Sequence, residues 1–264
     1  MIIRQDSGLC NRLRTVFSFY QAALRDGEPL TVVWEPNLPC PGFFLDYFEP
    51  VPGITFVDDA RKVEDKVYVV ANNEAVTDAD FICECHPDFH HAHQWVYEHL
   101  KPLPYILKRV EDNVLACESR FAAVHIRRTD IVGPGGLPEN GVITTDKVFY
   151  EFLDRLDTYN IYVAADNREA QDTVISRYGS RVKGIKLIDS INRSVKDALQ
   201  REPGKPWERL PGFSGRFRHT DLEDAIVDLY TCVEANHFKG SGASSFSHLI
   251  WQLWNKKRGS LSFG

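Results

Sequence analysis

Phe121-Ala122-Ala123-Val124-His125-Ile126-Arg127-Arg128-Thr129-Asp130 changes character at its midpoint. Its first four residues are an apolar run, the pattern of a buried strand. The run ends in a His, two adjacent Args and an Asp, and Gly133-Pro134-Gly135-Gly136 follows. Charges packed at the end of a buried strand face a crevice, where open α/β sheets bind ligands. An Arg pair suits a phosphate or pyrophosphate, because the planar guanidinium donates bidentate hydrogen bonds and keeps its charge. The alternative for the same residues is an ion pair of Arg127 or Arg128 with Asp130.

Outward from this stretch, strand-like and helix-like segments alternate. Strands are expected at 2–4, 30–34, 67–70, 121–126, 161–164, 185–188 and 236–239. Helices are expected at 11–24, 105–118, 147–156, 168–178, 222–234 and 245–254. In the 222–234 helix, Leu222, Ala225, Ile226, Leu229 and Val233 form one apolar stripe, and Thr220 with Glu223 reads as a capping box. Such alternation means α/β layers on largely parallel sheets. The chain divides at residues 1–118 and 119–264, with three strands expected in the first part and four in the second. Two α/β halves facing each other would hold a ligand in the cleft between them.

The chain has 264 residues, 43% of them hydrophobic, enough for a real core. A net charge of −6 and a pI of about 5.9 argue against broad capture of nucleic acid. Any anion site is therefore a local focus of Arg. No segment reaches the roughly 18 apolar residues of a membrane span, and Met1-Ile2-Ile3-Arg4 carries no signal-peptide core. The six cysteines are scattered and read as reduced thiols, so a cytoplasmic protein is expected.

Three further constellations accompany the central one. Asp6-Ser7-Gly8-Leu9-Cys10-Asn11-Arg12-Leu13-Arg14 links the opening strand to a helix. Gly8 permits a close backbone approach, and Asn11 and Arg12 are expected to project into a cleft. Tyr162-Val163-Ala164-Ala165-Asp166-Asn167 is a second apolar strand with a polar end. Its Asp166 either caps the next helix or accepts hydrogen bonds from a ribose or base. Lys239-Gly240-Ser241-Gly242-Ala243-Ser244-Ser245-Phe246-Ser247 lets the backbone approach a ligand. Ser244, Ser245 and the helix-opening amides suit a phosphate, though a plain Ser cap is the alternative. Two Gly/Pro-rich loops, 133–141 and 202–215, are expected as lids, acceptor-binding elements or ordinary surface excursions.

Two metal patterns do not hold up. Cys83-Glu84-Cys85-His86 with His90, His91 and His93 lacks the spacing of structural zinc sites. Asp78-Ala79-Asp80 has the form of a metal-holding carboxylate pair, but no nucleotide-binding pattern surrounds it. No metal is expected.

Taken in order, these stretches resemble the fucosyltransferase superfamily of α1,6-, nodulation and protein O-fucosyltransferases. Gly8-Leu9-Cys10-Asn11-Arg12-Leu13 is similar to the family's first Gly–Asn loop. His125-Ile126-Arg127-Arg128-Thr129-Asp130 is similar to its HxRRxD motif, the most specific element, in the RRTD form of the α1,6 branch. Tyr162 to Asp166 resembles the strand ending in an acid, and Asp228 through Ser247 the closing motif. Residues 40–115 carry no motif of the family.

The resemblance implies a GT-B-like fold of two facing Rossmann-like domains, with GDP-fucose held mainly by the C-terminal one. It implies inverting, metal-independent transfer of fucose to a glycan or glycoconjugate acceptor. Arg127 would contact the β-phosphate with Arg128 in support, and His125 and Asp228 the guanosine. Ser244, Ser245 and the Phe246 amide would hold the pyrophosphate. Asn11 would reach toward the sugar, and Arg216 falls where the family often has another Arg near the donor. One departure concerns the general base. The carboxylate that α1,6 members place five residues beyond the motif's Asp is replaced here by Gly135, leaving Glu139 and Asp130 as candidates. The alternatives are the same fold with another nucleotide sugar, or a nucleotide-sugar-binding protein without catalysis.

Overall fold

The computed structural model describes residues 1–37, 39–63, 68–69, 86, 88–89, 94–118, 120–128, 144–188 and 220–259. They fall into two compact units, Met1–Leu103 and Pro104–Gly264. Both are mixed α/β with parallel sheets. Among the described residues, no helix is long and apolar enough to cross a membrane.

The first unit holds β1 (Ile2–Arg4), α1 (Leu9–Asp26), β2 (Leu30–Val33), β3 (Ile54–Val57) and β4 (Tyr68–Val69). The strand order is β3-β2-β1-β4. α1 ends where Gly27 takes φ +69 and its amide bonds the Ala23 carbonyl, a left-handed stop that suits Gly. Among the described residues, four strands are present where three were expected. Ile54–Val57 is the addition, a four-residue run directly behind Pro52-Gly53 that pairs with β2.

The second unit holds α2 (Pro104–Ala116), β5 (Phe121–Ile126), α3 (Asp146–Asp154), β6 (Asn160–Ala165), α4 (Arg168–Tyr178), α5 (Leu222–Glu234), β7 (His237–Gly240) and α6 (Ser245–Lys257). Its sheet runs β6-β5-β7, so β5 is paired on both edges, and all six of its residues are buried. That explains why β5 is a continuous apolar run and does not alternate. Side-chain direction still alternates. Ala122, Val124 and Ile126 join Ile161 and Val163 in a core closed by Phe149, Leu153 and Val174 of α3 and α4. His125 and Tyr162 point to the other face, where α5 and α6 lie. α2, which precedes the division expected at 118/119, packs on α5. Its Arg109 pairs with both Glu223 and Asp224, and its Asn113 amide donates to Thr231 at 3.3 Å.

Two local expectations are corrected. Residues 185–188 form no strand. The buried Gln171 of α4 occupies their backbone instead, donating to the Lys186 carbonyl at 3.0 Å and accepting from the Ile188 amide at 2.9 Å. Among the described residues, three strands therefore stand where four were expected. The cap of α5 is Asp221, whose carboxylate accepts from the Asp224 amide at 2.7 Å; Thr220 is not the cap, and Glu223 pairs with Arg109 instead of closing a box. In urea denaturation, Asp221→Ala should cost about 1 kcal/mol, and Thr220→Ala should stay within about 0.5 kcal/mol of wild type.

Candidate functional site

Parallel strands all end on one edge of the sheet, and the polar ends of β5, β6 and β7 gather there in the second unit. His125 lies opposite Ala164 of β6 and Gly240 of β7. Ser241 fastens this edge: its hydroxyl donates to the His125 carbonyl at 3.0 Å and accepts from the Arg127 amide at 3.0 Å. One residue past the pairing of His125 with Gly240, the chain has thus left β7 while β5 is still held in line.

An open pocket with about 320 Å³ of empty space up to its mouth lies here. It is lined by His125, Arg127, Ala165, Asp166, Asp228 and Phe246, with Thr220 and Ala225 completing the wall. The His125 imidazole is buried, its Nδ1 2.6 Å from the Ser247 hydroxyl, and its ring lies 4.6 Å from that of Phe246.

The Ser241-to-Ser247 segment bends sharply. Ala243 takes a left-handed φ of +50, and the Gly242 amide donates to the Thr144 hydroxyl at 2.7 Å. Ser244 then caps α6, its hydroxyl accepting from the Ser247 amide at 3.3 Å. The amides of Ser245 and Phe246, the first two positions of α6, have no intrahelical acceptor to meet. Arg127 Nη1 sits 3.4 Å from the Ala243 carbonyl, beside this helix start. A guanidinium and the positive end of a helix dipole repel each other, and an anion between them would turn that cost into attraction.

The two Args have separate jobs. Arg128 turns away from the pocket, pairing with Asp146 at 2.6 Å, donating to the Arg127 carbonyl at 3.1 Å and lying over the Phe149 ring. Its backbone amide donates to the Asp166 carboxylate at 2.9 Å. Asp166 therefore braces the end of β5, and Asn167 caps α4 by accepting from the Ala170 amide at 3.0 Å. Asp166 does not take the cap role, and it lies on the pocket wall.

Asp228 enters the pocket from α5. The Tyr162 hydroxyl donates to its Oδ1 at 2.6 Å. Burial pushes the Asp228 carboxyl up to about 7; the Tyr162 hydrogen bond and Arg109 oppose the shift, while Asp224 and Asp221 add to it. Burial likewise holds Tyr162 protonated.

In the first unit, Asn11 lies at the start of α1, where its Oδ1 accepts from Arg14 at 3.3 Å. Arg12 does not project as expected. It is fully buried, donating to the carbonyls of Ser7 at 2.7 Å and Glu35 at 2.8 Å, with its guanidinium 5.2 Å from the Trp34 ring centroid. These are bonds that hold α1 to its own sheet. Asp130, Gly135, Glu139 and Arg216 lie outside the described residues, as do both Gly/Pro loops, Asp78, Asp80, Cys83, Cys85, His90, His91 and His93.

The sequence reading assigned no role to Tyr162, Ser241 or Ser247. Tyr162 carried a signal: a hydroxyl inside an otherwise apolar strand needs a buried partner. Ser241 and Ser247 carried none beyond their place in a run of small residues.

No protein-family model matches the sequence, and no curated protein matches it. Solved structures do. A NodZ α1,6-fucosyltransferase crystal soaked with GDP-fucose matches with a TM-score of 0.55 at 14% identity, over 96% of this chain and 91% of that one. The fucosyltransferase NodZ from Bradyrhizobium matches with a TM-score of 0.53 at 14% identity, over 94% of this chain and 91% of that one. NodZ co-crystallised with GDP matches with a TM-score of 0.52 at 13% identity, over 95% and 91%. The chain thus has a fucosyltransferase-like fold.

Two variants probe the site's construction. A Cβ on Gly240 would lie 2.5 Å from Ser247 Cβ and 2.6 Å from its hydroxyl. Gly240→Ala should therefore cost about 1–3 kcal/mol and displace the Ser247 partner of His125, seen as a changed His125 imidazole signal in NMR. The raised Asp228 carboxyl makes the folded state bind a proton more tightly than the unfolded chain. Its stabilising contribution is present at acid pH and is lost as pH rises toward about 7. Asp228→Asn keeps an acceptor for Tyr162, so its melting temperature relative to wild type should climb between about pH 5 and pH 8. A constant difference would mean that Asp228 titrates like an exposed carboxylate.

Proposed function

We propose that this protein is a glycosyltransferase that moves fucose from GDP-fucose to a hydroxyl of a glycan or glycoconjugate, with inversion and without a metal. The observation that carries the reading is the placement of Arg127 beside the start of α6, at the mouth of a pocket floored by His125 and Asp228. The likeness of the fold to NodZ, crystallised with GDP-fucose and with GDP, supports the choice of donor.

The chemistry follows from charge. Cleaving the bond from fucose C1 to the phosphate oxygen leaves GDP with growing negative charge on the β-phosphate. In this proposal Arg127 and the amides of Ser245 and Phe246 stabilise that charge, with Ser244 and Ser245 holding the pyrophosphate. They are already in place, so no reorganisation is needed as the bond breaks. A divalent cation would serve the same purpose, and a fixed guanidinium with a helix start makes it unnecessary. The acceptor hydroxyl attacks C1 from the face opposite GDP, which inverts the configuration. It gives its proton to a carboxylate, for which Asp130 and Glu139 are the candidates.

Arg128 supports from outside: its salt bridge to Asp146 and its amide bond to Asp166 hold the backbone from which Arg127 projects. His125 and Asp228 contact the guanosine, with Asp166 beside them on the same wall. The first unit, with Asn11, is assigned to the acceptor and the sugar on the family resemblance alone. Arg216 is assigned to the donor on the family resemblance alone.

Thermal shift with GDP, UDP, ADP and CMP, each with and without EDTA, tests donor class and metal together. Binding to the folded state raises the melting temperature by mass action. A shift selective for GDP that survives EDTA is expected; a UDP preference would retain a nucleotide-sugar enzyme and reject the donor. Arg127→Ala should keep the fold and lower transfer from GDP-fucose by at least about 100-fold. Normal turnover by that variant would overturn the reading. GDP binding by wild type without donor hydrolysis or transfer would identify a binding protein instead.

A further inference from the structure

The mechanism above uses Asp228 and leaves unexplained what stands behind it. Tyr162 is 2% exposed, in a strand that is apolar after its first residue, Asn160, and its hydroxyl is committed to Asp228 Oδ1. The Asn113 amide of α2 donates to that same hydroxyl at 3.2 Å and to the Thr231 hydroxyl at 3.3 Å. Thr231 in turn donates to the Val227 carbonyl within α5 at 2.8 Å. A chain of donors therefore runs from α2 through β6 to a carboxylate on the pocket wall. Among the described residues, Tyr162 is the side chain that donates to Asp228.

We propose that Tyr162 is the positioning residue for nucleobase recognition: by binding Oδ1 of Asp228 it holds that carboxylate ionised and aimed, so that the pocket selects a base with two adjacent N–H donors. The proposal deepens the GDP reading and rests on it. Guanine presents N1–H and the 2-amino group side by side, and an ionised carboxylate is acceptor-only, which makes the two complementary. A protonated carboxyl would keep one acceptor oxygen but turn a hydroxyl donor toward the other N–H, and so weaken the pair. Adenine offers an acceptor at N1 and gains nothing from the ionised form.

The charged and titratable groups around Asp228 come from every packed element. Tyr162 of β6 and Arg109 of α2 favour its ionised form; Asp224 and Asp221 of α5 oppose it. Lys186 is occupied with Asp224 at 2.6 Å, and Cys232 lies on the same helix, its thiol raised first by burial and then by Asp228. His125, Arg127 and Asp166 share the pocket wall. With the carboxyl poised at about 7, the loss of one hydrogen bond changes its charge under ordinary conditions.

The experiment is calorimetric GDP binding to wild type and Tyr162→Phe between about pH 6 and pH 8.5, with IDP, which lacks the 2-amino group, in parallel. Wild-type affinity should fall as pH drops through the Asp228 titration. In Tyr162→Phe the midpoint should move up, with GDP affinity about tenfold lower near pH 7 and recovering to within about threefold near pH 8.5. Its preference for GDP over IDP should shrink in the same window. The β-phosphate also takes up a proton in this range, equally for both proteins, so only the difference between the two profiles is read.

Asn113→Ala leaves the Tyr162 hydroxyl in place and removes the amide that polarises it. It should move the midpoint in the same direction by less, and it serves if Tyr162→Phe does not fold. Carboxyl NMR of Asp228 without ligand should show the same displacement. Superimposable profiles, a loss of equal size at every pH, or an Asp228 signal titrating alike in all proteins would overturn the proposal while GDP recognition stood. Failure of wild type to bind GDP at any pH would remove the GDP reading and this one together.

Discussion

The second unit depends on the burial of β5 between two parallel neighbours. Both of its edges are hydrogen-bonded, and both of its faces are covered by helices. A strand with no exposed side can carry polar chemistry only at its end. His125 and Arg127 sit at that end, and β6 and β7 run in the same direction, so Asp166 and Ser241 arrive at the same edge. The site is a consequence of strand direction. Gly240 allows α6 to start close by, because its missing side chain leaves the space that Ser247 fills beside His125.

Electrostatics then divides the labour among residues that look alike. Arg127 and Arg128 are adjacent, and consecutive residues leaving a strand point in opposite directions. One is spent on Asp146 and the ring of Phe149, while the other stands beside a helix start whose field has the same sign. The carboxylates divide similarly. Asp166 is consumed by a backbone amide, and Asp228 retains a raised affinity for its proton because burial outweighs the help of Tyr162 and Arg109. Identical side chains acquire different chemistry from the partners the fold assigns them.

Much of this was legible in the residues. The bounds of β5, α4 and α5 follow directly from an apolar run and from apolar stripes, because those segments bury one continuous surface. His125, Arg127 and Asp166, which line one pocket with Phe246, were readable from polar residues at strand ends and from small residues at a helix start; Asp228, in the middle of α5, came only from the family resemblance. Other elements were not. Ile54–Val57 and 185–188 are both short, mostly apolar segments, and only the former found a parallel partner; Gln171 took the backbone of the latter. Arg12 was expected to project from a helix start into a cleft, yet two carbonyls and the Trp34 ring hold it inside its own unit. Local pattern reports what a residue could bond, and long-range partners decide which bond it makes.

The sequence by itself determined the alternation of strands and helices, the buried run that places the site at one sheet edge, and the residue types available there. Periodicity and burial are properties of neighbours along the chain, so they are written in the chain. Only the tertiary structure decided which Arg faces the pocket, that Asp221 caps α5, and that Tyr162 of β6 meets Asp228 of α5. The last contact joins residues 66 positions apart. No local pattern specifies such a meeting, because it depends on how two separately formed elements pack over one sheet.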